Sequence, residues 1–395
     1  MSAGRVVEVG PRADLRAAYP GADEHHWDGV LTPGLVNGHT HLNYSHCAHF
    51  YGNGKPFPEW IQGFAAVIAT TTPEQWRASA DDGIRQMLAT GTTAAADVVT
   101  GPAALGAQRD AGLAGVAYYE AVFHDAGTWS RARDAWYAEL DAAGAGISPH
   151  TPYTLDTPVL AELAAAARTR GVRLHPHAAE TVQEVAFTVT GSGDFAELAR
   201  AMGLQLGLLG CGSGRTPVAE LDAAGLLGPD SHVAHGIHVS AADRALLRSR
   251  GTVVALCPRS NARLASGEAP VAAYRAEGNP VAVGTDGLTS VASLDLLAEA
   301  QALRALAVRQ GSPEEGLDRW VVEAVTVGGA RALGRDDLGV LRPGARADLA
   351  VFAVEPGGDP YAALVRDGVG SCLATVVAGE PAHVVGGRAR PCDRR

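Results

Sequence analysis

Residues 35–43 read LVNGHTHLN. His39 and His41 stand one residue apart after an apolar run, and side chains at i and i+2 of a strand share a face. Two imidazoles so placed are either a polar accident in a core or two ligands for one ion. The chain offers more groups of the same kind. LHPHAAET (174–181) carries His175 and His177, VAHG (233–236) brings His235, and VGTDG (283–287) brings Asp286. Neutral imidazoles with one carboxylate suit Zn²⁺ or Fe²⁺ rather than Mg²⁺. His39, His41, His177 and Asp286 make four protein ligands and leave room for a water if the site expands. A bound divalent cation lowers the pKa of water from about 15.7 toward about 7, which makes hydroxide available at neutral pH. Asp286 can also take the proton from that water, and His235 can orient it. Either His175 or His177 can serve as the ligand. We assign His177, because Glu180 follows three residues on, where a carboxyl can reach a substrate beside the ion and shuttle protons. His175 is read as deeper packing.

These groups need a scaffold that brings them to one place. Short β-rich runs recur at 30–39, 92–99, 114–123, 145–150, 172–177, 231–236, 252–257 and 280–286. Ala/Leu/Arg-rich helical stretches separate them. This alternation predicts a parallel sheet, and so many units in about 260 residues fit a closed (β/α)8 barrel of α/β class. His39, His41, Asp97, Glu120, His150, His177, His235 and Asp286 all fall at or near the C-terminal ends of their runs, the active-site rim of such a barrel. Thr157 before Pro158 reads as a helix N-cap with proline at the first position. Gly171 and Gly251 read as helix stops. The barrel is assigned to residues 31–338. Residues 1–30 offer the β-like run RVVEV and then a polar loop. The C-terminal region shows short alternating strands with Gly/Pro turns. Residues 1–30 plus 339–395 are therefore expected to form a small β-sandwich domain.

The 395 residues carry a net charge of −11 without a basic run, which argues against nucleic acid and against an anionic membrane surface as partners. No stretch of about 18 uninterrupted apolar residues calls for a transmembrane helix. The five cysteines are odd in number and form no CxxC pair, so a reducing cytoplasmic setting is expected. The N-terminus lacks a charged-then-apolar signal pattern.

The motifs PGLVNGHTHL, SPHTPYTL, HAAET, VAHGIHV, LCPRSNARL and VGTDGLTSVASLD resemble the amidohydrolase superfamily, from about residue 28 to 355. Within it they are similar to the branch of nucleoside, guanine and cytosine deaminases and triazine hydrolases. The resemblance implies one divalent ion, Zn²⁺ ahead of Fe²⁺, held by His39, His41, His177 and Asp286. It also implies Glu180 as proton shuttle, His235 as partner of the attacking water, and a homodimer. Dinuclear members use a carboxylated lysine on a barrel strand. The only lysine here, Lys55, lies in the loop after the first strand.

The implied activity is hydrolytic deamination of an aminated purine nucleoside, a small-molecule substrate. KPFPEWIQGF (55–64) resembles the segment that grips the sugar, with Glu59 accepting ribose hydroxyls and Trp60 walling the pocket; alternatively Trp60 anchors a helix that Glu59 caps. His150 either contacts the nucleoside or is a satisfied core histidine. In CPRSN (257–261), Arg259, Ser260 and Asn261 are candidate substrate contacts. Arg259, or Arg263, can pair with a substrate carboxylate, or Arg259 is structural. A carboxylate partner together with the FPEW segment resembles 6-aminodeoxyfutalosine deaminases of menaquinone synthesis. Alternatives are 5-methylthioadenosine/S-adenosylhomocysteine deaminase, guanine deaminase, a triazine-type hydrolase, or a catalytically dead ligand-binding barrel. Asn43 stands where many relatives have a carboxylate, and His46 and His49 are read as entrance or loop residues.

Overall fold

The structure, a computed structural model, describes residues 1–50, 57–385 and 390–391. Lys55 and Cys392 lie outside the described residues. Eight short parallel strands occupy the centre: β1 Leu35–Thr40, β2 Thr92–Val99, β3 Val116–Ala121, β4 Gly146–Pro149, β5 His177–Ala178, β6 His232–His235, β7 Val253–Leu256 and β8 Val281–Val283. They form two four-stranded sheets, ordered β1-β2-β3-β4 and β5-β6-β7-β8. Single parallel bridges link the sheet edges, Thr40 to Asp286 beyond β8, and Leu174 to both Ile147 in β4 and Ser231. Every residue of β1 and β2 is buried. Strands covered on both faces do not alternate polar and apolar residues, and β1 (LVNGHT) and β2 (TTAAADVV) show no such alternation.

Helices fill the intervals. Pro73–Leu88 starts with a capping box, in which Thr72 and Gln75 satisfy each other's backbone N–H groups. The helix Thr157–Arg170 is capped one residue earlier than the sequence suggests. Asp156 accepts the N–H of Thr157, and the Thr157 hydroxyl turns instead to Glu220. Gly171 and Gly251 end their helices in the left-handed conformation at φ 66° and 69°.

The run 30–39 does not form one strand. It breaks at Gly34, whose N–H donates to the carbonyl of Asp348. Val30–Pro33 pairs antiparallel with Leu349–Phe352. Cys372–Val377 and Glu380–Val384 complete a four-stranded antiparallel sheet, and His25–His26 pairs with Arg390–Pro391. RVVEV forms no strand, only isolated bridges from Arg5 to Ser2 and to Arg346, and a helix, Arg12–Ala18, stands where a polar loop was expected. Of the described cysteines, Cys47, Cys211, Cys257 and Cys372 are free. Among the described residues no helix is long and apolar enough to cross a membrane.

One glycine brings the two sheets together at the rim. A Cβ on Gly284 would lie 2.6 Å from His39 Cβ and 2.7 Å from the His39 carbonyl oxygen. Only a residue without a side chain lets the segment after β8 pass this close to β1.

Candidate active site

His39 and His41 project from the end of β1, His177 from β5, His235 from the end of β6, and Asp286 from the turn after β8. Ligand atoms of His39, His41 and Asp286 all lie within 4.8 Å of one another, as do those of His39, His177 and His235. Asp286 Oδ1 is 3.6 Å from His39 Nε2 and 3.5 Å from His41 Nε2. Its Oδ2 accepts from the hydroxyls of Ser260 at 2.6 Å and Ser290 at 2.9 Å. One carboxylate oxygen is thereby fixed and the other is aimed at the histidines.

The backbone is bent to reach this arrangement. Seven non-glycine residues among those described have positive φ, and His235 (70°), Asp286 (59°) and Ala179 (53°), next to Glu180, are three of them. Each such residue costs on the order of 1–3 kcal/mol, and such strain clusters at functional sites.

The hydrogen bonds set the tautomers. His175 Nδ1 is 3.0 Å from the carbonyl of His232, which can only accept, so Nδ1 carries the proton. His175 Nε2 is then an acceptor, 2.8 Å from His39 Nδ1, which donates to it. That leaves His39 Nε2 with a bare lone pair, buried and without a hydrogen-bond partner; His41 Nδ1 and His177 Nδ1 are also buried without a partner, while His41 Nε2 faces Asp286. Burial lowers all three rings, His41 to about 3, so they are neutral at ordinary pH. Burial alone would raise Asp286, but the neighbouring His39, His41 and His235 hold its carboxyl below the usual carboxylate range. Three neutral imidazoles with orphaned nitrogens and one ionised carboxylate fit a divalent cation of the zinc or iron type.

Glu180 lies beside this cluster, its Oε1 3.8 Å from His235 Nε2. Burial, and then the Asp286 carboxylate, push its carboxyl well up. Glu184 pins its backbone, accepting the N–H groups of Ala179 at 2.9 Å and Glu180 at 2.7 Å. His235 is oriented by Asn261, with Nδ1 3.0 Å from Oδ1.

A cleft with about 570 Å³ of non-protein space, open solvent included, lies over these groups. Trp60, Phe57, Phe64 and Phe123 form much of its apolar wall, and His150 lines it beside His177. The other expected substrate contacts are placed differently. Glu59 is exposed and does not line the cleft. Ser260 and Asn261 brace Asp286 and His235 instead of facing the cleft. Arg259 turns to Glu299, which accepts its backbone N–H at 3.0 Å and faces its guanidinium at 3.6 Å. The physical reason is the helix Pro258–Arg263, which directs these residues into packed neighbours. Arg263 is exposed, and Asn43 bonds Val98 and Thr100 across to β2. His46 bonds Ser79, and neither His46 nor His49 lines the cleft.

Several residues of the site escaped the sequence reading. Ser290 follows Asp286 by four positions with no helical pattern to mark the spacing. Glu184 did leave a signal, since Thr181-x-x-Glu184 has the spacing of a helix start, and Thr181 does cap that helix. Asp97, at the rim, accepts the N–H of Leu42 at 2.8 Å and holds the loop after β1.

The amidohydrolase family model matches residues 30–382, and a bacterial imidazolonepropionase-like composite domain matches residues 1–22. The 5-methylthioadenosine/S-adenosylhomocysteine deaminase of Halobacterium salinarum is 33% identical over 393 residues, covering 96% of this chain and 83% of that protein. The structure of a zinc-bound adenosine deaminase from Xanthomonas campestris matches with a TM-score of 0.80 at 25% identity, over 100% of this chain and 89% of that one. The Helicobacter pylori aminofutalosine deaminase in complex with methylthio-coformycin has a TM-score of 0.81 at 19% identity, covering 97% and 94% of the two chains, and shares the fold.

Proposed function

The chain belongs to the amidohydrolase family and is a hydrolase acting on C–N bonds, and we propose that it is a metal-dependent deaminase of an aminated purine or purine nucleoside. One observation carries this reading: neutral, orphaned imidazoles and an ionised aspartate converge beside a buried glutamic acid at the floor of an apolar cleft. The deaminase relatives support the same reading.

His39, His41, His177 and Asp286 would hold the ion. A divalent cation there supplies Lewis acidity and lowers the pKa of water. The chain does the rest. The Glu180 carboxyl gives its proton to a ring nitrogen of the substrate as water adds to the adjacent amino-bearing carbon. The proton lost by that water then goes to the departing amine. The carbon–nitrogen bond breaks, ammonia leaves, and the remaining hydroxyl proton returns to Glu180 as the ring carbonyl forms. His235, held by Asn261, orients the attacking water, and the Ser260 and Ser290 hydroxyls keep Asp286 in place. The aromatic wall of Trp60, Phe57 and Phe64 takes the flat face of a purine.

The narrower expectation of a benzoate-bearing substrate, 6-aminodeoxyfutalosine, rested on Arg259 or Arg263 together with the FPEW segment and the AELDAAGLLGPD lead-in to the sixth strand; of these, Arg259 pairs with Glu299. We also infer that the two four-stranded sheets close as one (β/α)8 barrel. The bridges at Thr40–Asp286 and at Leu174 support closure. The small β domain would then begin its exchange with the barrel at Gly34. The enzymatic reading is tested by incubating metal-loaded protein with adenine and guanine compounds and following ammonia release, with mass spectrometry for replacement of the amino group by hydroxyl. Absence of turnover across the panel would overturn it.

A further inference from the structure

Glu120, at the end of β3, is a cleft residue that the reaction above does not use. It is 6% exposed. One of its carboxylate oxygens and ring nitrogens of His150 and His177 lie within 4.8 Å of one another, so it stands next to the reacting centre. Its two oxygens differ. Oε2 accepts from the Thr100 hydroxyl at 2.7 Å, with Tyr44 OH at 3.5 Å, and Tyr44 and Thr100 also bond each other. Oε1 has no hydrogen-bond partner among the described residues. The carboxyl is therefore held rigidly by one edge and presents the other to the cleft.

The surroundings sharpen what that edge can meet. Glu180 and Asp286 line the same cleft, and no arginine or lysine is among its described lining residues. A buried carboxyl oxygen left without a donor forfeits about 1–3 kcal/mol or more. Burial pushes the Glu120 carboxyl up to about 7; in the ionised form it repels a second anion strongly, because little water screens the pair.

We infer that Glu120 is a specificity-determining residue that accepts a hydrogen bond from an N–H or O–H of the substrate and selects uncharged, donor-bearing purines over anionic ones. The donor can come from a sugar hydroxyl or from the ring itself, as in guanine-type bases, since the adenine ring of a nucleoside, substituted at N9, offers only acceptors apart from its reacting amine. This inference rests on the deaminase reading above and narrows its substrate class.

The test compares parent, Glu120→Gln and Thr100→Val holoenzymes on adenosine, guanine and adenosine-5′-carboxylate, with zinc content measured on each. The parent should favour the uncharged compounds. Glu120→Gln should shift kcat/KM toward the carboxylate by about tenfold or more relative to adenosine or guanine, whichever the parent prefers, with zinc content unchanged. Thr100→Val, which keeps the carboxyl but frees Oε2, should shift the ratio in the same direction by less, and serves if Glu120→Gln fails to fold. The preferred uncharged compound, base or nucleoside, identifies the donor. A ratio that stays within about twofold of the parent overturns the inference while leaving the deaminase reading intact, as does a loss of bound zinc in Glu120→Gln, which would make Glu120 a ligand. A parent that deaminates none of the purines overturns both.

Discussion

Nδ1 of His39 lies 2.8 Å from Nε2 of His175, and His175 in turn is anchored at 3.0 Å to the backbone carbonyl of His232. The second histidine of the LHPH tract thus faces the rim, and the first stands behind His39, the proposed ligand on another strand. Such outer hydrogen bonds fix the tautomer of a metal-binding imidazole and raise its basicity. His175→Ala is expected to weaken zinc binding roughly 10–100-fold, measured by competition with a chromophoric chelator. Unchanged affinity would show that His39 needs no orienting partner.

Ser260 and Ser290 hold the same oxygen of Asp286. Replacing either with alanine should lower kcat modestly. Replacing both should lower metal affinity or kcat by roughly 10–100-fold with little change in KM, read by steady-state kinetics and metal analysis. A double variant indistinguishable from the parent would contradict a bracing role.

How much of this was legible beforehand depended on sequence distance. HxH and HAAE each place two partners within a few residues, so strand and turn geometry nearly dictates their relation: the His39 and His41 rings lie 5.0 Å apart between centroids, and His177 and Glu180 line one cleft. Arg259 is different. Its partner Glu299 lies on the helix Leu296–Arg309, and no local pattern links the two. The choice between a substrate contact and a structural pairing with Glu299 was therefore open until the helices packed. Asp156 in place of Thr157 as the cap shows the same limit at short range, since either oxygen satisfies the local rule and tertiary contact with Glu220 claims the threonine.

Glu299 gives a pH signature. Burial pushes its carboxyl from 4.5 up to about 8, against the opposing pull of Arg259. The folded chain binds this proton more tightly than the unfolded one. Its contribution to stability is complete below the unfolded value of 4.5 and is lost as pH rises through about 8. Glu299→Gln should therefore lose less stability than the parent between about pH 5 and about pH 9 in urea denaturation. An identical loss in both proteins would contradict the assignment.

Gly284 is held against His39 with no room for a methyl group. Gly284→Ala should cost about 1–3 kcal/mol of stability and loosen the metal site together with it, seen as a lower urea midpoint and reduced zinc retention. A variant with full stability would mean that the two strands can separate at the rim without penalty.

Glu180→Gln keeps the shape of the acid and removes its proton. Deamination should fall by about 10²–10⁴-fold while zinc content stays at the parent level. Turnover at the parent rate would remove Glu180 from the proton-transfer role.

The central claim is that one divalent ion sits among His39, His41, His177 and Asp286. Diffraction from zinc-loaded crystals on either side of the zinc absorption edge measures this directly. The expected result is a single anomalous peak per chain within bonding distance of all four side chains. A peak elsewhere, or none in fully loaded protein, would contradict it.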